Sequence, residues 1–318
     1  MTFSRDNRLF LTPGPAQFTA ESAEHLATSF GRGDNKLEEQ AKGVVEFLLE
    51  LSGQSRLVYA QGSGTLANQI MIENFLYGRV LIVDSGYYSK RLLTLASSAE
   101  HVKEIEFSRY EASPSGQFDW VLATPVETGQ GTLRSIVELR ALADNLGARL
   151  ALDGVASVGL EADHDLADVV GFSSCKGIFA LTGACFLASK DEPANRSSSF
   201  YLDYDTHAQK KVTGPYSQIQ SIIGLRDMHS EMVACVEENK ALIGSIFSEN
   251  IVHDPDRQPL ISTAVRGAVI APFPLVEYQP REKEEGISVI STLGYLGHSQ
   301  SDSNPYGELF SQKIGRNA

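Results

Sequence analysis

Cysteine is scarce: Cys175, Cys185 and Cys235 are the three in 318 residues. An odd set without paired spacing excludes a disulfide framework and a cysteine zinc site, and it fits a reducing compartment. Positive charge is also short. Lys and Arg number 27 against 40 Asp and Glu, a net charge of −13, which argues against a nucleic-acid partner and against docking on an anionic membrane. Long apolar runs are missing. The longest, Gly267 to Val276, contains Pro272 and Pro274 and is too short to cross a bilayer. The first residues, Met-Thr-Phe-Ser-Arg-Asp-Asn-Arg, lack the apolar stretch of a secretory leader. The seven histidines, His25, His101, His164, His207, His229, His253 and His298, are scattered without metal spacing. No solenoid period repeats. These absences lead us to expect a cytoplasmic protein with no metal.

What is present fits a packed chain, with 42% apolar and 21% charged residues. At ~150 residues per domain the length suggests about two domains. Short β-type runs alternate with amphipathic helical ones. Arg56 to Ala60, Arg79 to Val83, Trp120 to Thr124, Arg149 to Leu152 and Ala184 to Ala188 read as strands, and Leu166 to Gly171 leads toward another. Thr65 to Leu76 and Leu133 to Leu146 read as helices stopped by Gly78 and Gly147. Ser217 to Glu249 is long and helical, and the character changes from Asn250 onward. Continuous apolar strands separated by helices predict an α/β fold with a mostly parallel sheet buried on both faces. Such sheets bind ligands beyond the carboxyl ends of their strands.

The strand ends therefore carry the candidates. Gly62-Ser63-Gly64-Thr65 precedes a helix and can cradle an anion with backbone N–H groups, or simply turn the chain with Ser63 or Thr65 as cap. Tyr87 and Tyr88 follow the next strand, where an aromatic can stack on a flat ring or pack a loop. Glu127-Thr128 follows the third. Asp153 ends an apolar strand, and its desolvation calls for a partner, either a protonated ring nitrogen or a helix terminus. Lys176 lies among small residues at the sheet's mouth, where a lowered pKa would free an amine to form a Schiff base, or where it is simply an exposed loop lysine. Phosphate cradle, stacking aromatic, carboxylate and lysine, on successive strand ends, are the parts that hold pyridoxal phosphate, PLP. A nucleotide-binding domain would need the Gly-x-Gly-x-x-Gly spacing, which is missing. A catalytically silent scaffold would need neither Lys176 nor Asp153.

In order along residues 9 to 230 these segments resemble the class V aminotransferases, fold-type I PLP enzymes, and within them the alanine–glyoxylate and 2-aminoethylphosphonate–pyruvate groups. The likeness is carried by Leu11-Thr12-Pro13-Gly14-Pro15, Gly62-Ser63-Gly64-Thr65, Gly86-Tyr87-Tyr88-Ser89-Lys90-Arg91, Glu127-Thr128, Leu152-Asp153-Gly154-Val155-Ala156-Ser157, Ser173-Ser174-Cys175-Lys176 with Gly183, and Thr213-Gly214-Pro215. It implies a seven-stranded type of sheet sandwiched by helices, with a smaller C-terminal α/β domain. The large PLP-binding domain would be 1–225, with an N-terminal arm 1–20. A long linking helix and the small domain would fill 226–318. Lys176 would be the Schiff-base lysine and Asp153 the partner of the pyridinium nitrogen. Tyr88 and Val155 would cover the ring, Ser63, Gly64 and Thr65 would hold the phosphate, Thr128 would meet the phenolic oxygen, and Ser174 would add a cofactor contact. Thr213 would come from the second subunit of a homodimer with shared sites.

The chain departs from that family in three places. Cys175 stands where Gln or Asn usually precedes the lysine, and the early His-Arg segment survives only as Phe30-Gly31-Arg32-Gly33. Near the C-terminus Thr292 occupies the position of the arginine that grips the substrate carboxylate. Arg32, Arg266 or Arg281 could replace it. The expected function is an aminotransferase acting on a small amino substrate. The missing clamp leaves a PLP-dependent decarboxylase, or another α-carbon reaction, on a larger or unusual amino acid as the alternative.

Overall fold

The computed structural model describes residues 8–296 apart from 25, 27, 28, 32, 270–274 and 283. Its frame is a seven-stranded sheet. In chain order the strands are β1 (Arg56–Gln61), β2 (Gly78–Val83), β3 (Val102–Ser108), β4 (Trp120–Ala123), β5 (Arg149–Asp153), β6 (Val169–Ser173) and β7 (Ala184–Ser189). Across the sheet they run β1-β7-β6-β5-β4-β2-β3. All neighbours are parallel except β7, which is antiparallel to both β1 and β6. That reversal matters for the site. The turn from β6 into β7 lies at the same end of the sheet as the carboxyl ends of the parallel strands.

The central strands are buried on both faces because their side chains alternate into two cores. Leu81, Val83, Val121, Leu150 and Leu152 join one apolar cluster. Val80, Ile82, Trp120, Leu122 and Ala151 join the other. Helices cover both. α1 (Asn35–Ser52) starts at Asp34, whose carboxylate accepts the Lys36 and Leu37 N–H groups. It ends at Gly53, which takes the left-handed φ of 60° that a helix stop favours. α2 (Gly64–Phe75) follows β1, α3 (Tyr87–Ala96) follows β2, and α4 (Ile136–Asn145) lies before β5. The long helical stretch of the sequence is two helices, α5 (Tyr216–Leu225) and α6 (His229–Ile246), parted by a single 3-10 turn.

Beyond α6, β8 (Ser262–Arg266) pairs antiparallel with β9 (Ile287–Ser291). A separate parallel pair joins Leu9–Phe10 to Leu275–Val276. Leu11, Ile243, Val265, Leu275 and Ile290 form the core here. The N-terminal arm ties this region to the large sheet. Ala16 N–H donates to the Cys175 carbonyl at 2.8 Å, and Gln17 N–H donates to that of Leu293 at 3.1 Å.

His164 sits under this frame, with Nε2 at 2.8 Å from the Ser157 hydroxyl. Burial holds its imidazole down to about 4, against an ordinary value of 6.5. The unfolded chain then takes up a proton first. Stability is complete above 6.5 and falls as pH drops toward 4, by roughly 3 kcal/mol for a shift of this size. His164→Gln should flatten that part of the profile. Urea midpoints compared between about pH 7 and about pH 4.5 read the effect. An unchanged acid slope in the variant would refute it.

Candidate active site

At the carboxyl ends of β1, β4, β5 and β6 lies a cavity of about 440 Å³. Ser63, Gly64, Thr65, Tyr88, Thr128, Asp153, Val155 and Lys176 all line it. So the strand-end residues singled out in the sequence, far apart along the chain, face one space. A larger polar crevice of about 580 Å³ lies beside it, but Arg134 and Arg257 within that crevice are already paired with Glu111 and Glu138.

One wall is the amino end of α2. Ser63 occupies the cap position with extended backbone, yet its side chain makes no capping bond among the described residues. Its hydroxyl is therefore not engaged as a cap, and the first N–H groups of the helix point the same way. Gly64 has a packing reason: a Cβ there would lie 2.3 Å from Val155 Cγ2. The loop is fastened to the lysine hairpin by Gly62 N–H, which donates to the Gly183 carbonyl at 2.9 Å.

The opposite wall is the start of α3. Ser89 Oγ accepts the Ser85 and Gly86 N–H groups at 2.9 and 3.0 Å, closing the turn. The Tyr88 N–H donates to the Glu127 carboxylate at 2.9 Å. Glu127 is fully buried and also accepts the Gly129 N–H. Burial pushes its carboxyl above the usual range. Glu127 thus serves as a clasp that orients Tyr88. Tyr278 closes in from the segment after Val276, its phenol pushed up to about 12 by burial and by nearby Tyr88 and Glu127.

The floor holds the two charged groups. Asp153 is 6% exposed and takes hydrogen bonds from the Val155 N–H at 3.2 Å and from the Asn68 side chain. Burial still raises its pKa. A carboxylate held here gains from a cation placed against it. Lys176 is half-buried, and desolvation lowers its pKa, opposed by Asp153, Cys175 and Glu127. Its Nζ stands 5.5 Å from the centroid of the Tyr88 ring. Gly14, at φ +118°, lets the N-terminal arm pass over the lysine, because a Cβ there would sit 2.9 Å from Lys176 Cγ.

These residues fit PLP on an observation independent of any motif. The Thr124 hydroxyl, which lines the cavity, and Asn68 Oδ1 are buried with no hydrogen-bond partner among the described residues, while the Thr128 hydroxyl meets Tyr278. Buried polar atoms of that kind call for a polar occupant.

Some expectations change. Ser174 does not line the cavity. Its hydroxyl is spent on the Leu181 and Ala184 carbonyls, where it braces the turn between β6 and β7. Thr213 of this chain is exposed and lines a separate groove with Tyr59, Gly214 and Tyr216. Cys175 is half-buried and lines the cavity beside the lysine. Thr292 is buried, and its hydroxyl donates to the Leu260 carbonyl at 2.8 Å, so its role there is to hold the small sheet. Of the proposed substitutes for its arginine, Arg266 ends β8 exposed, and Arg281 stands 5.7 Å from the Tyr87 ring centroid. Arg32 lies outside the described residues. Asn68, Thr124 and Arg91 were missed. Asn68 alone left a signal, as a polar residue on the apolar side of α2.

No protein-family model matches the chain. The chain is similar to a curated 2-aminoethylphosphonate–pyruvate transaminase of Pseudomonas fluorescens, 25% identical over 232 residues, which are 65% of this chain and 63% of that protein. A second such transaminase, from Cupriavidus necator, is 26% identical over 223 residues, 63% of this chain and 59% of that one. The chain thus spans less than two thirds of the length of these two relatives. Among solved structures, an aspartate aminotransferase of subgroup IV from Thermus thermophilus superposes with a TM-score of 0.80 at 19% identity, covering 96% of this chain and 99% of that one. An alanine–glyoxylate aminotransferase from Nostoc does so with a TM-score of 0.80 at 16% identity, covering 99% and 95%. The fold is therefore that of fold-type I, as the motifs imply.

Proposed function

We propose that this chain is a PLP-dependent aminotransferase of the class V type. One observation carries the reading: a single cavity gathers a desolvated lysine, a buried carboxyl, an aromatic face and a helix amino end. The transaminases it is similar to support the reaction type over decarboxylation.

Bound covalently to the Lys176 amine, PLP supplies an electron sink for charge that develops at a substrate carbon. The protein's part is positioning and proton transfer. Lys176, with its amine pKa lowered by burial, is the general base that moves the substrate proton. Asp153 keeps the ring nitrogen protonated, and Asn68 and the Val155 N–H hold Asp153 in place. Tyr88 and Val155 cover the ring faces. Thr128 donates to the phenolic oxygen, and Ser63, Gly64 and Thr65 hold the phosphate at the α2 amino end. The reading includes a large domain over 1–225 and a linking helix with a small domain over 226–318. It also includes a cytoplasmic homodimer whose partner lends Thr213 to the site, supported by that residue's exposure beside Tyr216 and the exposed Phe30.

Because the relatives act on 2-aminoethylphosphonate and pyruvate, that pair is the first to test. The protein loaded with PLP should consume 2-aminoethylphosphonate or a related amine and form one alanine per pyruvate used. Release of carbon dioxide from an amino acid, with no oxo product, would overturn the assignment.

A further inference from the structure

The mechanism leaves one cation of the cavity without a task. Among the described residues Lys176 and Arg91 are the two cationic ones that line it, and Lys176 is committed to covalent attachment and proton transfer. Arg91 lies one turn into α3, half-buried. Its guanidinium carbon stands 4.9 Å from the Tyr88 ring centroid and 5.1 Å from that of Tyr87. One of its N–H groups donates to Thr65 Oγ1 at 3.0 Å. No carboxylate forms a salt bridge with it among the described residues, though its charge acts on Asp153. A guanidinium has five N–H donors, so most remain open. The two rings hold the charge in place at little solvation cost. Thr65 aims it at the α2 amino end. Because the Thr65 oxygen accepts from Arg91, its own O–H is free to donate to a neighbouring oxyanion.

The anion loop itself, Gly62 to Thr65, contains no cation. A helix terminus offers only about half a positive charge, against the nearly two negative charges of a phosphate monoester. The chain as a whole is strongly acidic, with a net charge of −13, so compensation has to be local.

We propose that Arg91 is the fixed cation of the phosphate subsite. It reaches across from α3 to complete, within one chain, the cradle formed by Ser63, Gly64 and Thr65. The assignment rests on the PLP reading and deepens it. Tyr88 then serves both the ring and, together with Tyr87, the guanidinium.

The test compares two forms of the cofactor. PLP and pyridoxal, which lacks the phosphate, are titrated into wild type, Arg91→Gln and Arg91→Lys, with protein fluorescence and the visible band as readouts. Arg91→Gln should weaken PLP roughly 10- to 100-fold, the scale of a lost charge-assisted hydrogen bond. Pyridoxal affinity should stay within about threefold, which also shows that the variant is folded, and Arg91→Lys should recover part of the loss. Equal losses of both forms would assign Arg91 to packing and overturn the proposal. Unchanged PLP affinity with a raised KM for the amino substrate would make it a substrate clamp and would overturn it as well. A wild type that binds neither form sinks the cofactor reading itself, and this proposal with it.

Discussion

Replacing Lys176 with alanine is expected to abolish turnover, with a loss of about 10⁴-fold or more, since nucleophile and general base go together. The structural grounds are specific. Lys176 is half-buried, its amine is pushed toward the neutral form by desolvation, and it stands over the Tyr88 ring at 5.5 Å. Among the described residues no second lysine lines the cavity. Wild type mixed with PLP should turn yellow and be locked by borohydride, with the label recovered on the peptide that contains Lys176. Lys176→Ala should show neither, while keeping the far-ultraviolet spectrum of a folded α/β protein. A borohydride-stable adduct in the variant, or none in wild type, would refute the role given to this residue.

Asp153→Asn comes next. The substitution keeps size and the Val155 N–H contact and removes only charge. Asp153 sits in a desolvated place at 6% exposure, so a cation facing it is worth far more than on the surface. Removing one partner of a buried charge pair costs roughly 3–5 kcal/mol, which corresponds to about 10²- to 10⁴-fold in rate. Cofactor affinity should fall less than rate, because Lys176 and the phosphate contacts remain. A PLP analogue methylated at the ring nitrogen carries its positive charge permanently, so it should restore much of the loss in Asp153→Asn. Full activity in the variant with ordinary PLP would show that the carboxylate does not govern the ring nitrogen.

Much of this site was legible in the sequence because fold-type I sheets place function at strand ends. Strand ends betray themselves as small, polar or charged residues after an apolar run. Asp153, Lys176 and Gly62 to Thr65 follow that rule. What stayed hidden was hidden for physical reasons. β3 carries Lys103, Glu104 and Glu106 among its seven residues, as a sheet-edge strand does, and has no buried-strand signal. α3 begins with two tyrosines, a serine and a lysine after Gly86, which read as a loop until the Ser89 and Glu127 bonds close its first turn. The direction of β7 cannot be read from composition. Ser174 resembles a cofactor ligand by position, but the tight turn into β7 claims its hydroxyl. The use of Arg91 depends on the packing of α3 against α2, which no local pattern encodes.

The antiparallel β7 also bears on how the chain becomes a protein. β1 lies at the sheet's edge, and its neighbour there is β7, with Ala184 opposite Gln61. Nearly all of the large sheet is synthesised between them. On the ribosome, β1 and the phosphate loop that follows it emerge early and find no strand to join until β7 appears. Closing so long a loop is slow, and the apolar side of α2, destined for β6 and β7, stays uncovered meanwhile. The cofactor cavity is thus among the last features to form. A ribosome stalled before Ala184 would display a chain that has its lysine but no cradle for the phosphate.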